Sequence, residues 1–269
     1  MIYEKVLLDE RNENVYIKVY VPEKNDAFVR DAILVIPGGG YGFVGDSREG
    51  EPIALDFVQK GLAAFVLNYS VKEKAKFPAP LIETSKAMKH IRDNADIYNI
   101  NPERVFVTGF SAGGHLTACL GTLWHIDEIY KEVDMPYGYN KPTGILPIYP
   151  VITSGEHAHK GTYKRITGSS EPVIEMGRKY SPELHVDEKS SPAFICHTSD
   201  DEIVSVHNSL CLAKAYADAN MKFELHIFKE GPHGMALGNE ITKSRDNNWI
   251  SASFEKWTEL AKLWMSDIK

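Results

Sequence analysis

The chain has 269 residues, of which 43% are hydrophobic and 25% charged, and its formal net charge is −7. This length suits one α/β domain with a large core, and we expect a single domain over residues 1–269. The acidic balance provides no basic field for nucleic acid or an anionic membrane surface, and no apolar run approaches 18 residues, so we expect neither partner.

The first half of the chain alternates predicted strands and helices. Apolar and polar residues alternate over 14–21, which is the period of a half-buried strand, whereas the wholly apolar run at 32–36 predicts a strand buried on both faces. A helix is predicted at 48–60, a strand at 63–69, a helix at 81–94, a strand at 105–108 and a helix at 116–120. This alternation predicts a mostly parallel central sheet with helices on both faces.

The second half continues the pattern. Strands are predicted at 144–149, 191–197 and 223–228, and helices at 205–219 and 250–264. The stretch at 150–190 between two strands is long and polar, with one short helical candidate at 172–180. Because that stretch is too short for a large cap domain, we expect an open site in one α/β domain.

Targeting and cysteine content suggest where the protein works. The first ten residues lack a charged segment followed by a long apolar stretch, so we expect no signal peptide and a cytoplasmic protein. The three cysteines, Cys119, Cys196 and Cys211, lack metal-like spacing, and we expect reduced structural thiols. We expect no metal and no cofactor. The sequence leaves open whether the chain forms a homo-oligomer.

A glycine-flanked serine lies between the predicted strand at 105–108 and the helix at 116–120. Residues 109–115 read Gly-Phe-Ser-Ala-Gly-Gly-His, and glycines on both sides of Ser111 permit a strained turn in which a Cβ would collide. This is the pattern of a nucleophile elbow, which places the serine at a helix N-terminus where developing negative charge is favoured. Gly-x-Ser-x-Gly arises by chance in roughly one chain in ten, but the flanking strand and helix favour the elbow over an ordinary turn.

A second glycine-rich loop follows the strand at 32–36. Residues 37–41 read Pro-Gly-Gly-Gly-Tyr, and three consecutive glycines leave backbone N–H groups free to converge on an anion. With the elbow downstream, the loop is predicted to form part of an oxyanion hole. A flexible turn is the alternative, while a phosphate loop is disfavoured because its Lys-Ser/Thr ending is absent.

The elbow pattern requires an acid and then a histidine on loops after later strands. Asp200 and Asp201 follow the strand at 191–197, and His233 follows the strand at 223–228. Both loops fall at the carboxyl edge of the sheet, where ligands bind. His233 is predicted as the general base for Ser111, oriented by an acid. Spacing alone does not decide whether Asp200 or Asp201 is that acid.

The remaining histidines fit the role of base less well. His226 lies inside a predicted strand, and His115, four residues after Ser111, is better explained by packing. His157 and His159 form a His-x-His pair without an evident third ligand, so a zinc site is disfavoured.

Five stretches in this order resemble α/β-hydrolase serine esterases of the acetylxylan esterase-like branch. The resemblance spans roughly residues 32–238 and is carried by residues 37–41, 109–115, 149–152, 197–204 and 226–234. It implies the α/β-hydrolase fold and Asp201 as the catalytic acid. It also implies an oxyanion hole made by the backbone N–H of Ala112 with that of Gly39 or Gly40, and Tyr41 as a further backbone candidate and substrate-binding residue.

These residues predict a serine carboxylesterase that acts through an acyl-Ser111 intermediate. The resemblance implies a short acyl group, most plausibly acetyl, on a sugar such as an acetylated xylo-oligosaccharide, so the expected partner is a small-molecule or oligosaccharide ester. An amidase, a formamidase or a small serine peptidase with the same triad is the alternative. A non-catalytic binding protein on a hydrolase scaffold is a more remote one.

Overall fold

A computed structural model describes residues 1–24, 27–169, 177–243 and 249–268. Within these residues the strands form one eight-stranded sheet in the order β1-β2-β4-β3-β5-β6-β7-β8. Strands β1 and β2 run antiparallel to their neighbours, and all the other pairs are parallel. The strands are β1 Ile2–Leu7, β2 Tyr16–Val21, β3 Arg30–Ile36, β4 Ala63–Asn68, β5 Ile100–Phe110, β6 Ile145–Ile148, β7 Ala193–Thr198 and β8 Phe223–Phe228.

Helices cover both faces of the sheet. In the described residues they are α1 Asp46–Glu49, α2 Glu51–Gln59, α3 Ala79–Asp93, α4 Ala95–Tyr98, α5 Ala112–Leu123, α6 Asp127–Glu132, α7 Lys160–Thr167, α8 His207–Asp218 and α9 Trp257–Asp267. Short 3₁₀ turns lie at Lys72–Lys74, Pro182–Leu184 and Phe254–Lys256.

The central strands are buried on both faces, as their continuous apolar runs predict. In β3, the residues from 32 to 36 are all inaccessible to solvent, and alternate ones belong to different core clusters. One cluster packs the sheet against α3 and α5 through Leu81 and Leu116. The other packs it against α2 and α9 through Phe57 and Trp257. The prediction of a mostly parallel sheet with helices on both faces is confirmed.

Two predicted helices have different bounds in the structure. The helix expected at 48–60 is divided at Gly50, whose φ of −109° and ψ of −95° depart from helical values, so α1 and α2 are separate. The helix expected from residue 250 begins only at Trp257, after a 3₁₀ turn. Ser251 Oγ accepts the N–H of Phe254 at 3.3 Å, and this local hydrogen bond competes with an earlier helix start.

The connection between β6 and β7 lies beside the carboxyl edge of the sheet. The helix predicted at 172–180 falls mostly outside the described residues, whereas α7, which was not predicted, precedes it. In its described part this connection contains α7, two helical residues at 177–178 and the turn at Pro182–Leu184, so no large cap domain is evident there. The carboxyl ends of β3, β5, β7 and β8 are therefore left to the loops that follow them.

Candidate active site

Ser111 lies in a strained turn between β5 and α5. It stands between Phe110, the last residue of β5, and Ala112, the first residue of α5, and its φ of 54° is in the left-handed region. A Cβ on Gly113 would lie 2.0 Å from the carbonyl oxygen of Ile36, and one on Gly109 would lie 2.3 Å from that of Gly113. Both positions therefore require glycine, and Ser111 has the geometry of a nucleophile elbow.

Three predicted side chains meet at this turn. His233 Nε2 lies 2.8 Å from Ser111 Oγ, and His233 Nδ1 lies 2.6 Å from Asp201 Oδ2. Asp200 points elsewhere, because its Oδ1 accepts the N–H of Gly231 at 2.7 Å and stabilises the loop that carries His233. Of the two acids that spacing left open, the structure brings Asp201 to the histidine.

Asp201 is held as a buried carboxylate. Its Oδ1 accepts the backbone N–H groups of Ile203 and Val204, each at 2.9 Å, while Oδ2 faces His233 and His197. Burial raises the pKa of Asp201, but hydrogen bonds from both imidazoles outweigh it, so the pKa lies well below the usual range of a carboxyl. The ionised side chain is therefore available to orient an imidazole and to stabilise its cationic form.

His197 is a member of this network to which the sequence assigned no role. It is fully buried at the end of β7, and its Nε2 lies 3.3 Å from Asp201 Oδ2 and 3.0 Å from the carbonyl of Val204. Because Nε2 faces two acceptors, it carries the proton, and Nδ1 accepts from Ser209 Oγ at 2.7 Å. A histidine at the end of a strand, four residues before the acid, is the signal that could have revealed it.

The loop after β3 presents backbone N–H groups to the same cleft. Gly39 and Gly40 both have positive φ, and in the part of the chain that the structure describes their N–H groups have no acceptor. The N–H of Ala112 is the first of α5 and has no intrahelical acceptor either. The N–H of Gly38, by contrast, donates to Glu49 Oε2 at 2.8 Å. Three unpaired donors thus lie on the two segments that flank Ser111.

Glu49 is a second residue that the sequence analysis missed. It is buried, and while one oxygen holds the Gly38 N–H, the other accepts the hydroxyl of Tyr149 at 2.8 Å. The Tyr149 ring packs edge-on against His233 with a centroid distance of 5.2 Å. A single carboxylate therefore connects the glycine loop with the support of the histidine.

The side chain of Tyr41 lies in the core and not in the cleft. It is fully buried, and its hydroxyl donates to His115 Nδ1 at 2.8 Å. Any contact of Tyr41 with a ligand is therefore limited to its backbone. His115 is also fully buried and its Nε2 donates to the carbonyl of Tyr180 at 2.7 Å, in agreement with the packing role that the sequence favoured.

The cleft over Ser111 has a volume of about 630 Å³. Its lining includes Gly39, Gly40, Ser111 and His233. Exposed apolar side chains lie at its rim, namely Phe43, Ile203 and Trp249. An open cleft of this kind leaves room for a ligand that extends beyond the reacting group.

The described residues contain neither a metal-ligand cluster nor a membrane-spanning helix. The described ranges contain no cluster of three or more histidine, cysteine or acidic side chains that could hold a metal ion. His157 stacks on His207 at 4.0 Å between centroids, and His159 Nδ1 contacts Thr162. None of the helices in these ranges is long and apolar enough to cross a membrane.

The sheet, the elbow and the Ser111, His233 and Asp201 arrangement together define an α/β hydrolase of the serine-esterase type. The model of the BD-FAE family matches residues 17–216, which is most of the chain. The protein belongs to the BD-FAE family.

Individual relatives agree with this assignment. Endo-1,4-beta-xylanase B of Butyrivibrio fibrisolvens is 36% identical over 221 residues, which are 80% of this chain and 34% of that protein. Acetylxylan esterase of Xylanibacter ruminicola is 31% identical over 213 residues, which are 77% of this chain and 41% of that protein. The chain therefore spans only about a third to two fifths of the length of these curated relatives.

A solved structure matches the chain over nearly its whole length. The acetyl ester-xyloside bifunctional hydrolase from Caldicellulosiruptor lactoaceticus is 34% identical with a TM-score of 0.84, and the match covers 98% of this chain and 96% of that one. The predicted α/β-hydrolase fold and the resemblance to the acetylxylan esterase-like branch are confirmed.

Proposed function

We propose that the protein is a serine carboxylesterase that removes short acyl groups, acetyl first among them, from hydroxyls of sugars such as xylo-oligosaccharides. The observation that carries the proposal is the continuous hydrogen-bonded series from Ser111 Oγ through the His233 ring to Asp201. The names of an acetylxylan esterase and an acetyl ester-xyloside hydrolase among the relatives support the choice of acetyl and sugar.

In the proposed reaction His233 Nε2 accepts the proton of Ser111 as Oγ attacks the ester carbonyl. Asp201 holds Nδ1–H and stabilises the imidazolium. The tetrahedral oxyanion accepts from the N–H of Ala112 and that of Gly39 or Gly40, each such donor being worth about 3 kcal/mol to the transition state. His233 then protonates the leaving alcohol, and water hydrolyses the acyl-Ser111 ester in the second half-reaction.

The form of the cleft suits a sugar ester. Phe43 and Trp249 present exposed aromatic faces at the rim, and such faces pack against the apolar face of a sugar ring. The described part of the connection between β6 and β7, with α7 and the turn at residues 182–184, forms no large cap over the cleft. An oligosaccharide can therefore extend out of it while one acetyl group reaches Ser111.

The first test compares wild type with Ser111→Ala on 4-nitrophenyl acetate, butyrate and octanoate, followed by acetate release from acetylated xylo-oligosaccharides. We expect the wild type to prefer acetate and the variant to lose at least about 10³-fold in kcat. Ser266→Ala is the matched control, since Ser266 is an exposed hydroxyl at the end of α9. Equal activity of Ser111→Ala would contradict the mechanism.

Two further comparisons separate the alternatives. An amidase would hydrolyse the 4-nitroanilide of acetic acid at a rate comparable with the ester, whereas we expect a strong preference for the ester. A fluorophosphonate probe labels an activated serine, so we expect it to label wild type and not Ser111→Ala. Folded wild-type protein that resists the probe would indicate a non-catalytic hydrolase scaffold.

A further inference from the structure

A second cleft, rich in basic residues, lies beside the cleft over Ser111. Its volume is about 660 Å³, and Glu73 is the one acid among the described residues that line it. The cations that line it are Lys72, Lys76, Lys164 and Arg165. Four positive charges and one negative charge among the described lining residues contrast with the net charge of −7 for the whole chain. We refer to this site as the basic cleft.

Among the described residues, no ion pair neutralises the positive charges of the basic cleft. Across the described ranges none of its four cations lies within ion-pair distance of a carboxylate, although other surface lysines do. Lys60, Lys89 and Lys214 each pair with an aspartate one helical turn away. Unpaired cations that line a concave surface attract an anionic ligand, because the field of each adds to that of its neighbours.

The basic cleft adjoins the Ser111 cleft at the glycine loop and at the start of α7. Arg165 Nη1 donates to the carbonyl oxygen of Gly40 at 3.0 Å, so one of its cations rests on the glycine loop. Gly161 lines the basic cleft, whereas His159, two residues earlier, lines the Ser111 cleft. The start of α7 therefore lies between the two clefts, so a chain of sugars with one ring at Ser111 would cross it to reach the basic cleft.

We propose that the basic cleft binds carboxylate groups carried by the oligosaccharide, which makes acetylated acidic oligosaccharides the preferred substrate class over neutral ones. Ammonium and guanidinium groups bind carboxylates through charge-assisted hydrogen bonds. The inference rests on the proposed function, because it takes the ligand of the Ser111 cleft to be an acylated sugar.

Binding to Ser111→Ala protein tests the proposal without turnover. Titration calorimetry compares a xylo-oligosaccharide that carries a uronic acid with the neutral oligosaccharide of the same length. Exposed ion pairs are each worth up to about fivefold in affinity. We therefore expect the acidic ligand to bind roughly three- to tenfold more tightly at low salt. The preference should vanish at about 0.5 M NaCl, where exposed charges are screened.

Charge-matched variants locate the effect. Adding Lys76→Gln and Lys164→Gln removes two of the four cations and should reduce the preference at least twofold, whereas Lys222→Gln with Lys262→Gln removes the same charge elsewhere and should preserve it. Lys222 directly precedes β8, at the edge of the sheet opposite Ser111, and Lys262 lies on α9. Equal binding of the two ligands, or an equal loss in the control pair, would overturn the proposal.

Turnover separates this inference from the proposed function. Wild-type enzyme should release acetate faster from the acetylated acidic oligosaccharide than from its neutral counterpart, and the ratio should fall toward one in the Lys76 and Lys164 double variant. If acidic oligosaccharides bind preferentially but no acetate is released from either, the proposed esterase function fails and the binding site stands. If acetate is released from both at equal rates and the affinities are equal, the basic cleft does not bind carboxylates of the substrate, and the proposed esterase function is retained.

Discussion

Replacing His115 by glutamine should remove a large part of the acid sensitivity of the fold. His115 is fully buried, and it accepts a hydrogen bond from Tyr41 Oη at one nitrogen and donates to the Tyr180 carbonyl at the other. Only the neutral imidazole satisfies both contacts. Burial lowers the pKa of His115 from 6.5 to about 4.

The size of the effect follows from proton linkage. In the unfolded chain the imidazole binds its proton at about pH 6.5, whereas in the folded chain it does so only near pH 4. Between these values the unfolded state binds more protons, so the free energy of unfolding decreases as pH falls. The stability from this group is full above about pH 6.5 and is lost toward pH 4. At about 1.4 kcal/mol per pH unit the loss is about 3 kcal/mol.

Urea denaturation at about pH 7.5 and pH 4.5 measures this difference. We expect the wild type to lose roughly 2.5 kcal/mol more than His115→Gln between the two values. His207→Gln is the control, because His207 is exposed. If His115→Gln loses as much stability as wild type over this range, the buried imidazole is not the group responsible. Since Tyr41 follows the glycine loop directly, the same acidification should loosen that loop.

Four other substitutions test the site. Asp201→Asn should lower kcat about 10³- to 10⁴-fold by removing the carboxylate that orients the base, whereas Asp200→Asn should stay within about tenfold of wild type. Glu49→Gln should lower kcat about tenfold at nearly unchanged KM for 4-nitrophenyl acetate, because one of its two hydrogen bonds is lost. Gly113→Ala should destabilise the fold by at least about 2 kcal/mol in urea unfolding, since its Cβ would lie 2.0 Å from Ile36 O.

Specific results would contradict these expectations. Comparable losses in Asp200→Asn and Asp201→Asn would mean that loop integrity, and not the contact with His233, governs activity. A rise in KM alone for Glu49→Gln would place that side chain in substrate binding instead of loop support. An unchanged urea midpoint for Gly113→Ala would mean that the elbow tolerates a Cβ.

Local features of the chain were predictable where backbone sterics govern them. The strand, glycine-flanked serine and helix around Ser111 form one contiguous segment, and the φ of 54° is tolerated because Gly109 and Gly113 leave room for it. The buried strands were recognised from their continuous apolar runs, because both faces of each strand are covered by helices. Strand β1 was not predicted, because as an edge strand it has no fully buried residue.

Spacing was insufficient where one residue changes the direction of a side chain. Asp200 and Asp201 are adjacent, and both follow β7 into the same loop. Their roles differ because Asp200 caps the loop at Gly231 while Asp201 turns toward His233. Glu49 was missed for a similar reason. In the sequence it reads as a surface glutamate, and only the fold of the glycine loop brings the N–H of Gly38 to its buried carboxylate.

The amino-acid sequence by itself determined the alternation of strands and helices, the strained turn at Ser111 and the two later loops at the same edge of the sheet, because periodicity and glycine sterics act over a few residues. The tertiary structure decided which side chains meet. Ser111 and His233 are 122 positions apart, and their contact depends on the strand order that brings the carboxyl ends of β5 and β8 to one edge. The burial of Tyr41 and the gathering of Lys72 with Lys164 in one cleft likewise arise from packing between distant segments, which no local pattern encodes.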